Sequence, residues 1–300
     1  MTWLIWLELV LSAVTIVLAG IKLAEYGDAI SYRTGLGGLF VGSLLVAGAT
    51  SLPEILTTIN GILQDQLNLT AGNLFGSCMF NMLLLGVLDL LFYQKRLLRR
   101  VALNHALTAS LGILLLGLAA LFIVAKINLT IAWLGIDGLL LVVVYVVGIW
   151  LLRRNPVALP PVEPVVESEE NIPTLRRAAI GFALTAALLT VAAPFLVSSS
   201  SAIAQITGLG GGFIGVILLG VVTSLPELVS GIAAVRVGAY DLAVGNLFGS
   251  NMFNMLILGL TDMFYTQGSF FTAIDPTFTI AVLLAIVLAA LGQVGNLAKV

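Results

Sequence analysis

Three blocks of this chain are written twice, each second copy standing 173 residues after the first. TGLGGLFVG at 34–42 returns as TGLGGGFIG at 207–215, and TSLPE at 50–54 returns unchanged at 223–227. GNLFGSCMFNMLLLG at 72–86 returns as GNLFGSNMFNMLILG at 245–259. Three gapless blocks on one offset do not arise by chance. The chain is two copies of one unit, and its fold must place equivalent residues in equivalent surroundings.

Composition names the solvent. Of 300 residues, 60% are hydrophobic and 9% charged, against about 25% charged in a soluble domain. Nine apolar runs fall at roughly 3–25, 36–63, 70–92, 103–125, 130–152, 178–200, 211–236, 242–265 and 276–296. A membrane-crossing helix needs about 20 such residues. The one long polar segment, RRNPVALPPVEPVVESEENIPTLRR at 153–177, is rich in Pro and Glu, a linker composition. The expected fold is therefore an all-α integral membrane protein. It has an N-terminal repeat over 1–152, a linker over 153–177 and a C-terminal repeat over 178–300.

Five spans separate equivalent points of the two copies, and an odd number reverses direction. The copies are expected to be inverted in the membrane, an architecture of secondary transporters with the site where the copies meet. The offset also predicts a tenth helix near 303–325, past Val300, so nine spans are visible and the last of ten is expected to be either truncated or absent. Of the 13 Lys and Arg, all but Lys126 fall on one side of these spans. By the positive-inside rule that side is cytoplasmic, with the linker inside and the N-terminus outside. The apolar stretch from Thr2 to Glu25 is too long for a signal-peptide core and lacks a basic leader, so it reads as the first span.

The repeated motif carries the chemistry. Glu54 and Glu227 lie inside apolar spans, where a carboxylate is expensive and marks function. Pro53 and Pro226 precede them; a proline in a helix frees a carbonyl one turn upstream, here near 49 and 222. Thr50 and Glu54 are spaced i, i+4, as are Ser77 and Asn81, and Ser250 and Asn254, which on helices places each pair on one face. Ser51 and Ser224 add hydroxyls, with packing as their alternative use. The inventory is all oxygen. Hard cations suit it, Ca²⁺ taking 6–8 oxygens in flexible geometry, and two carboxylates balance one divalent charge. Gly72, Gly76, Gly245 and Gly249 have the GxxxG spacing that lets helices approach closely.

Other chemistries lack their residues. A net charge of −2 leaves no nucleic-acid footprint, and one cysteine, Cys78, and one histidine, His105, exclude disulfides and Cys or His metal clusters. Asp89 and Asp262 align in the repeat but are expected near opposite faces of the membrane, and His105 near a cytoplasmic helix end. No enzyme is expected and no cofactor.

At TSLPE followed by GNLFGSxMFN, duplicated and inverted, the sequence resembles the cation/Ca²⁺ exchanger superfamily (CaCA), and is most similar to its prokaryotic sodium/calcium exchanger branch. The resemblance covers the whole chain. It implies Ca²⁺ and Na⁺ (or H⁺) bound alternately at the repeat interface, with Glu54 and Glu227 as central ligands. It implies that Thr50, Ser51, Thr223, Ser224, Ser77, Ser250, Asn81 and Asn254 complete the ion sites, and that Asp137 in WLGIDG is structural. The motifs depart from the family in carrying Ala49 and Val222 where it has Gly, and Asn at both 81 and 254 leaves two acids at the centre. The expected protein is an antiporter of a prokaryotic inner membrane that exchanges Ca²⁺ for Na⁺ or H⁺ by alternating access. A passive cation channel and a non-transporting cation-binding membrane protein are the alternatives. The sequence leaves the oligomeric state open.

Overall fold

In the computed structural model, residues 2–93, 97–127, 129–131, 134–154, 172–206, 221–266 and 268–297 are described. The block at 207–215, the start of the 211–236 run and most of the 153–177 linker fall outside them.

The described chain is almost all helix. Helix α1 runs Thr2–Thr34 and is followed by a broken span: α2 (Gly38–Phe40), a π-helical turn (Val41–Val46), α3 (Ala47–Thr50) and α4 (Leu52–Leu63). Then come α5 (Leu67–Leu91), α6 (Leu97–Ala125), α7 (Ile136–Arg154) and α8 (Leu175–Ile206). Helices α9 (Leu225–Arg236), α10 (Tyr240–Phe264), α11 (Phe270–Ala273) and α12 (Phe278–Leu297) complete the chain. Among the described residues seven helices are long and apolar enough to cross a membrane, and the broken segment, bent by 44°, makes up to an eighth if its two parts form one span. The protein is an all-α multi-pass membrane protein.

Two expected boundaries move for physical reasons. Helix α1 continues nine residues past the apolar run, to Thr34, and carries a Lys22–Glu25 ion pair at 2.6 Å at the end of that run. Its 33 residues span about 50 Å at 1.5 Å per residue, longer than the ~30 Å hydrocarbon core. The fifth run begins as helix at Ile136 and not at 130, because Thr130–Ile131 (β1) and Leu134–Gly135 (β2) pair as a two-rung antiparallel ladder. Beyond it lies a buried polar knot. Ser269 donates to Asp137 at 2.5 Å, and Phe270 N–H to Asp262 at 2.7 Å, tying α7, α10 and the approach to α11 together. A Cβ on Gly135 would strike the Asp137 carboxylate. Asp137 is thus a structural tie.

Helix α10 is the axis. Of its membrane-spanning window 89% is buried, against 22% for α1 and 17% for α12. It packs on α5, α6, α7, α9 and the broken span, while α1 lies chiefly along α8. The outer helices turn apolar stripes outward, such as Ile180, Leu184, Leu188, Val191 and Phe195 on α8. In lipid such a stripe is the solvated face. The broken span comes within backbone contact of α10: a Cβ on Gly249 would stand 2.5 Å from the Ser43 carbonyl oxygen, and one on Gly42 2.6 Å from that of Leu242. The expected close approach therefore holds at Gly249, and it falls on the π-helical turn, a backbone irregularity that gathers at functional sites. At Gly76 nothing among the described residues stands within 4 Å of a Cβ.

Long-range bonds tie distant parts of the chain together. Arg33 donates to the carbonyls of Ile172 (2.7 Å) and Pro173 (3.2 Å). His105 pairs with Asp241 at 3.1 Å. Asn68 accepts from Asp275 N–H at 2.8 Å, and Ser198 donates to Glu8 at 3.1 Å. Asp275 accepts the backbone N–H of Thr277, which keeps its carboxyl below the ordinary range.

Candidate cation site

TSLPE breaks its helix in the same way in both copies. Pro53 and Pro226 have no N–H, so Ala49 and Val222 lose the donor that would sit four residues on. The chain turns at Ser51 (φ −87°, ψ 7°) and at Ser224 (φ −86°, ψ 10°), and a new helix starts at Leu52 and at Leu225. Glu54 and Glu227 fall in the first turns of α4 and α9. Helix starts expose unpaired N–H groups and the positive end of the helix dipole, a suitable seat for carboxylates.

The break corrects one expectation. Thr50 and Glu54 do not share a helical face, because Thr50 ends α3 and Glu54 belongs to α4. The Thr50 hydroxyl instead faces the other copy. Its single proton is shared between Ala47 O and Asn246 Oδ1, both at 3.2 Å. Thr223 does the equivalent, donating to Asn73 Oδ1 at 3.4 Å. Thr50 and Thr223, and Asn73 and Asn246, are repeat equivalents. The bonds are reciprocal, so an approximate twofold relates the two copies here. Glu227 stands within electrostatic range of Glu54, with the Thr50 and Ser51 hydroxyls beside it.

Ser77 and Asn81 on α5, and Ser250 and Asn254 on α10, complete the set. Ser77 donates to Glu54 Oε1 at 3.3 Å. Asn81 Nδ2 donates to Asn251 Oδ1 at 3.1 Å, and Asn254 Nδ2 to Cys78 Sγ at 3.8 Å. All ten residues singled out by the motif are at most 1% exposed.

Seven oxygens of this set have no hydrogen-bond partner: Glu54 Oε2, Glu227 Oε2, Ser51 Oγ, Ser224 Oγ, Ser250 Oγ, Asn81 Oδ1 and Asn254 Oδ1. More than 90% of buried polar groups are paired in folded proteins, and an unpaired one costs about 1–3 kcal/mol. Orphaned acceptors around two carboxylates are what a hard cation requires of its ligands. Among the described residues no group of three or more His, Cys, Asp or Glu gathers to hold a metal. A cation at this place would therefore meet two carboxylates and neutral oxygens.

Sequence reasoning missed four members of the network. Asn73 and Asn246 accept from the threonines, and Asn251 and Cys78 accept from the amides of Asn81 and Asn254. The signal for the first pair was present, an Asn repeated within GNLFG. Ser-Leu-Pro-Glu also has the spelling of a helix capping box. Neither Ser51 nor Ser224 makes a capping bond, which leaves both hydroxyls unpaired.

Comparison with known proteins decides the family. The chain matches the sodium/calcium exchanger protein family over residues 4–153 and 177–297. It belongs to that family. It is 28% identical over 275 residues to inner membrane protein YrbG of Escherichia coli, covering 86% of this chain and 79% of that one. It is 30% identical over 242 residues to the putative antiporter CaxA of Alkalimonas amylolytica, covering 78% and 73% respectively. Over 83 residues it is 42% identical to the sodium/calcium exchanger MaX1 of Methanosarcina acetivorans, covering 27% of this chain and 24% of that one. The fold is that of the sodium-calcium exchanger NCX_Mj soaked with Na⁺ and Ca²⁺, with a TM-score of 0.74 at 20% identity, over 98% of this chain and 90% of that one. This exchanger-family member is thus a cation/Ca²⁺ exchange transporter by family.

Proposed function

We propose that this exchanger-family protein moves Ca²⁺ against Na⁺ or H⁺ by alternating access, with both cargoes using the buried oxygens between the two copies. The seven unpartnered acceptors around Glu54 and Glu227 carry this reading. Glu54, Glu227, Thr50, Thr223, Ser51, Ser224, Ser77, Ser250, Asn81 and Asn254 are its ligand set, with the two carboxylates matching the charge of Ca²⁺. At most 1% exposure of every member supports a closed site that must open to one side at a time, against a continuous pore. The sparsely buried pair of α1 and α8 is suited to sliding along the core, since apolar faces make no directional bonds that motion would break.

In membrane terms we place the N-terminus outside, the 153–177 linker inside and the two copies inverted, in a prokaryotic inner membrane. Cys78 is buried, so single cysteines introduced at residue 126 and within 155–171 report the two sides. Labelling of the first from outside and of the second only after permeabilisation supports this orientation.

Transport is tested in proteoliposomes of the full-length protein by Ca²⁺ uptake under an imposed Na⁺ gradient, then a pH gradient. Uptake that follows one of these gradients and is lost in Glu54→Gln supports exchange. Uptake that follows neither indicates a passive channel. Ca²⁺ binding without uptake indicates a non-transporting member.

A further inference from the structure

Where α5 and α10 meet, one position of the repeat faces its own copy. It is Cys78 in the first and Asn251 in the second, the one difference between GNLFGSCMFN at 72–81 and GNLFGSNMFN at 245–254. Each takes a hydrogen bond from the amide of the opposite copy's asparagine: Asn81 Nδ2 to Asn251 Oδ1 at 3.1 Å, and Asn254 Nδ2 to Cys78 Sγ at 3.8 Å. The thiol itself donates to the Asn251 carbonyl oxygen at 3.9 Å. All four side chains are buried.

An amide has donors at one end and an acceptor at the other, so the neighbour that takes one end decides where the other points. In both copies the nitrogen is taken and the oxygen is left. Asn81 Oδ1 and Asn254 Oδ1 remain buried without a donor. We infer that Asn251 and Cys78 are positioning residues that hold these two amides with their carbonyl oxygens toward the cation site, and that they do so unequally.

The inequality follows from chemistry. An N–H···O bond of 3.1 Å lies in the normal range, and an amide oxygen is a strong acceptor. A thiol sulfur is a weak one. Asn81 is therefore firmly set and Asn254 loosely set, although the two are the same residue in equivalent places. The cation is held asymmetrically, with Asn254 the ligand that lets go first. This rests on the reading of the site as a Ca²⁺ site and adds a specificity element to it.

The test exchanges the two positions. In the purified full-length protein, Ca²⁺ affinity is measured by calorimetry, and KM and kcat of uptake in proteoliposomes. Thermal unfolding of each variant checks its fold. In the natural chain Asn81→Ala should weaken Ca²⁺ binding more than Asn254→Ala, by about three- to tenfold, the worth of one hydrogen bond. Cys78→Asn, which copies the sequence of the other repeat, should tighten binding and lower KM. In the exchanged chain, Cys78→Asn with Asn251→Cys, the order of the two alanine effects should reverse. A purely structural role would move the unfolding temperature and leave that order intact. An unchanged order in the exchanged chain, or unchanged affinity in Cys78→Asn, overturns the inference alone. Absence of Ca²⁺ binding by the natural chain overturns the reading of the site, and this inference with it.

Discussion

In the first copy of the motif, Ser77 donates to the Glu54 carboxylate; in the second, its equivalent Ser250 has no partner and Glu227 receives nothing from it. Beyond Pro226, Ser230 donates to Pro226 O and accepts from Asn246 Nδ2 at 2.9 Å, whereas its equivalent Thr57 bonds only back to Pro53 O and Asn73 Nδ2 is left unpaired. The helix breaks match within 3°. The backbone is thus shared and the polar network is not. A duplicated unit fixes where oxygens stand, and a few unlike neighbours decide how tightly each is held. That division suits the alternating access proposed above.

The comparison breaks most visibly at what the copies share. Glu54→Gln and Glu227→Gln should each lower Ca²⁺ affinity by on the order of 100-fold or more, since ligand charge sets Ca²⁺ affinity over decades. Binding to purified protein checks this, and a large difference between the two variants would break the equivalence of the copies. Ser77→Ala should cost about 1.5–3 kcal/mol, because its hydroxyl bonds a carboxylate. Ser250→Ala, removing a hydroxyl with no partner, should cost less than about 0.5 kcal/mol in apo stability measured by thermal unfolding. Equal losses would dissolve the asymmetry. Gly249→Ala should destabilise by about 1–3 kcal/mol, because its Cβ must push back the Ser43 backbone; unfolding in detergent reads it. Thr50→Val and Thr223→Val should each cost about 1 kcal/mol, and near-equal values would sharpen the twofold. Asp275→Asn, on the exposed loop, should leave Ca²⁺ uptake within about twofold of the natural chain.

The ten ligand candidates were legible because they repeat. A Glu in an apolar span, doubled at one offset beside Pro, needs no coordinates to be singled out. All ten are buried together. What failed was helical arithmetic across Ser51: spacing i, i+4 implies a shared face only along an unbroken helix, and Pro53 breaks this one. The partners of these candidates were also out of reach. Asn246 lies 196 residues from Thr50 and Asn251 170 from Asn81, and no local rule pairs residues at such separations.

The sequence by itself determined that the chain lives in lipid, that it contains two copies of one unit, and which oxygens stand out as candidate cation ligands. These follow from composition, periodicity and repetition, which are properties of the chain read in order. Only the tertiary structure decided which oxygens are spoken for and which stay bare. Hydrogen bonding is settled by which helices cross and at what height. At that crossing a single unlike pair, Cys78 and Asn251, separates two half-sites that the sequence writes almost identically.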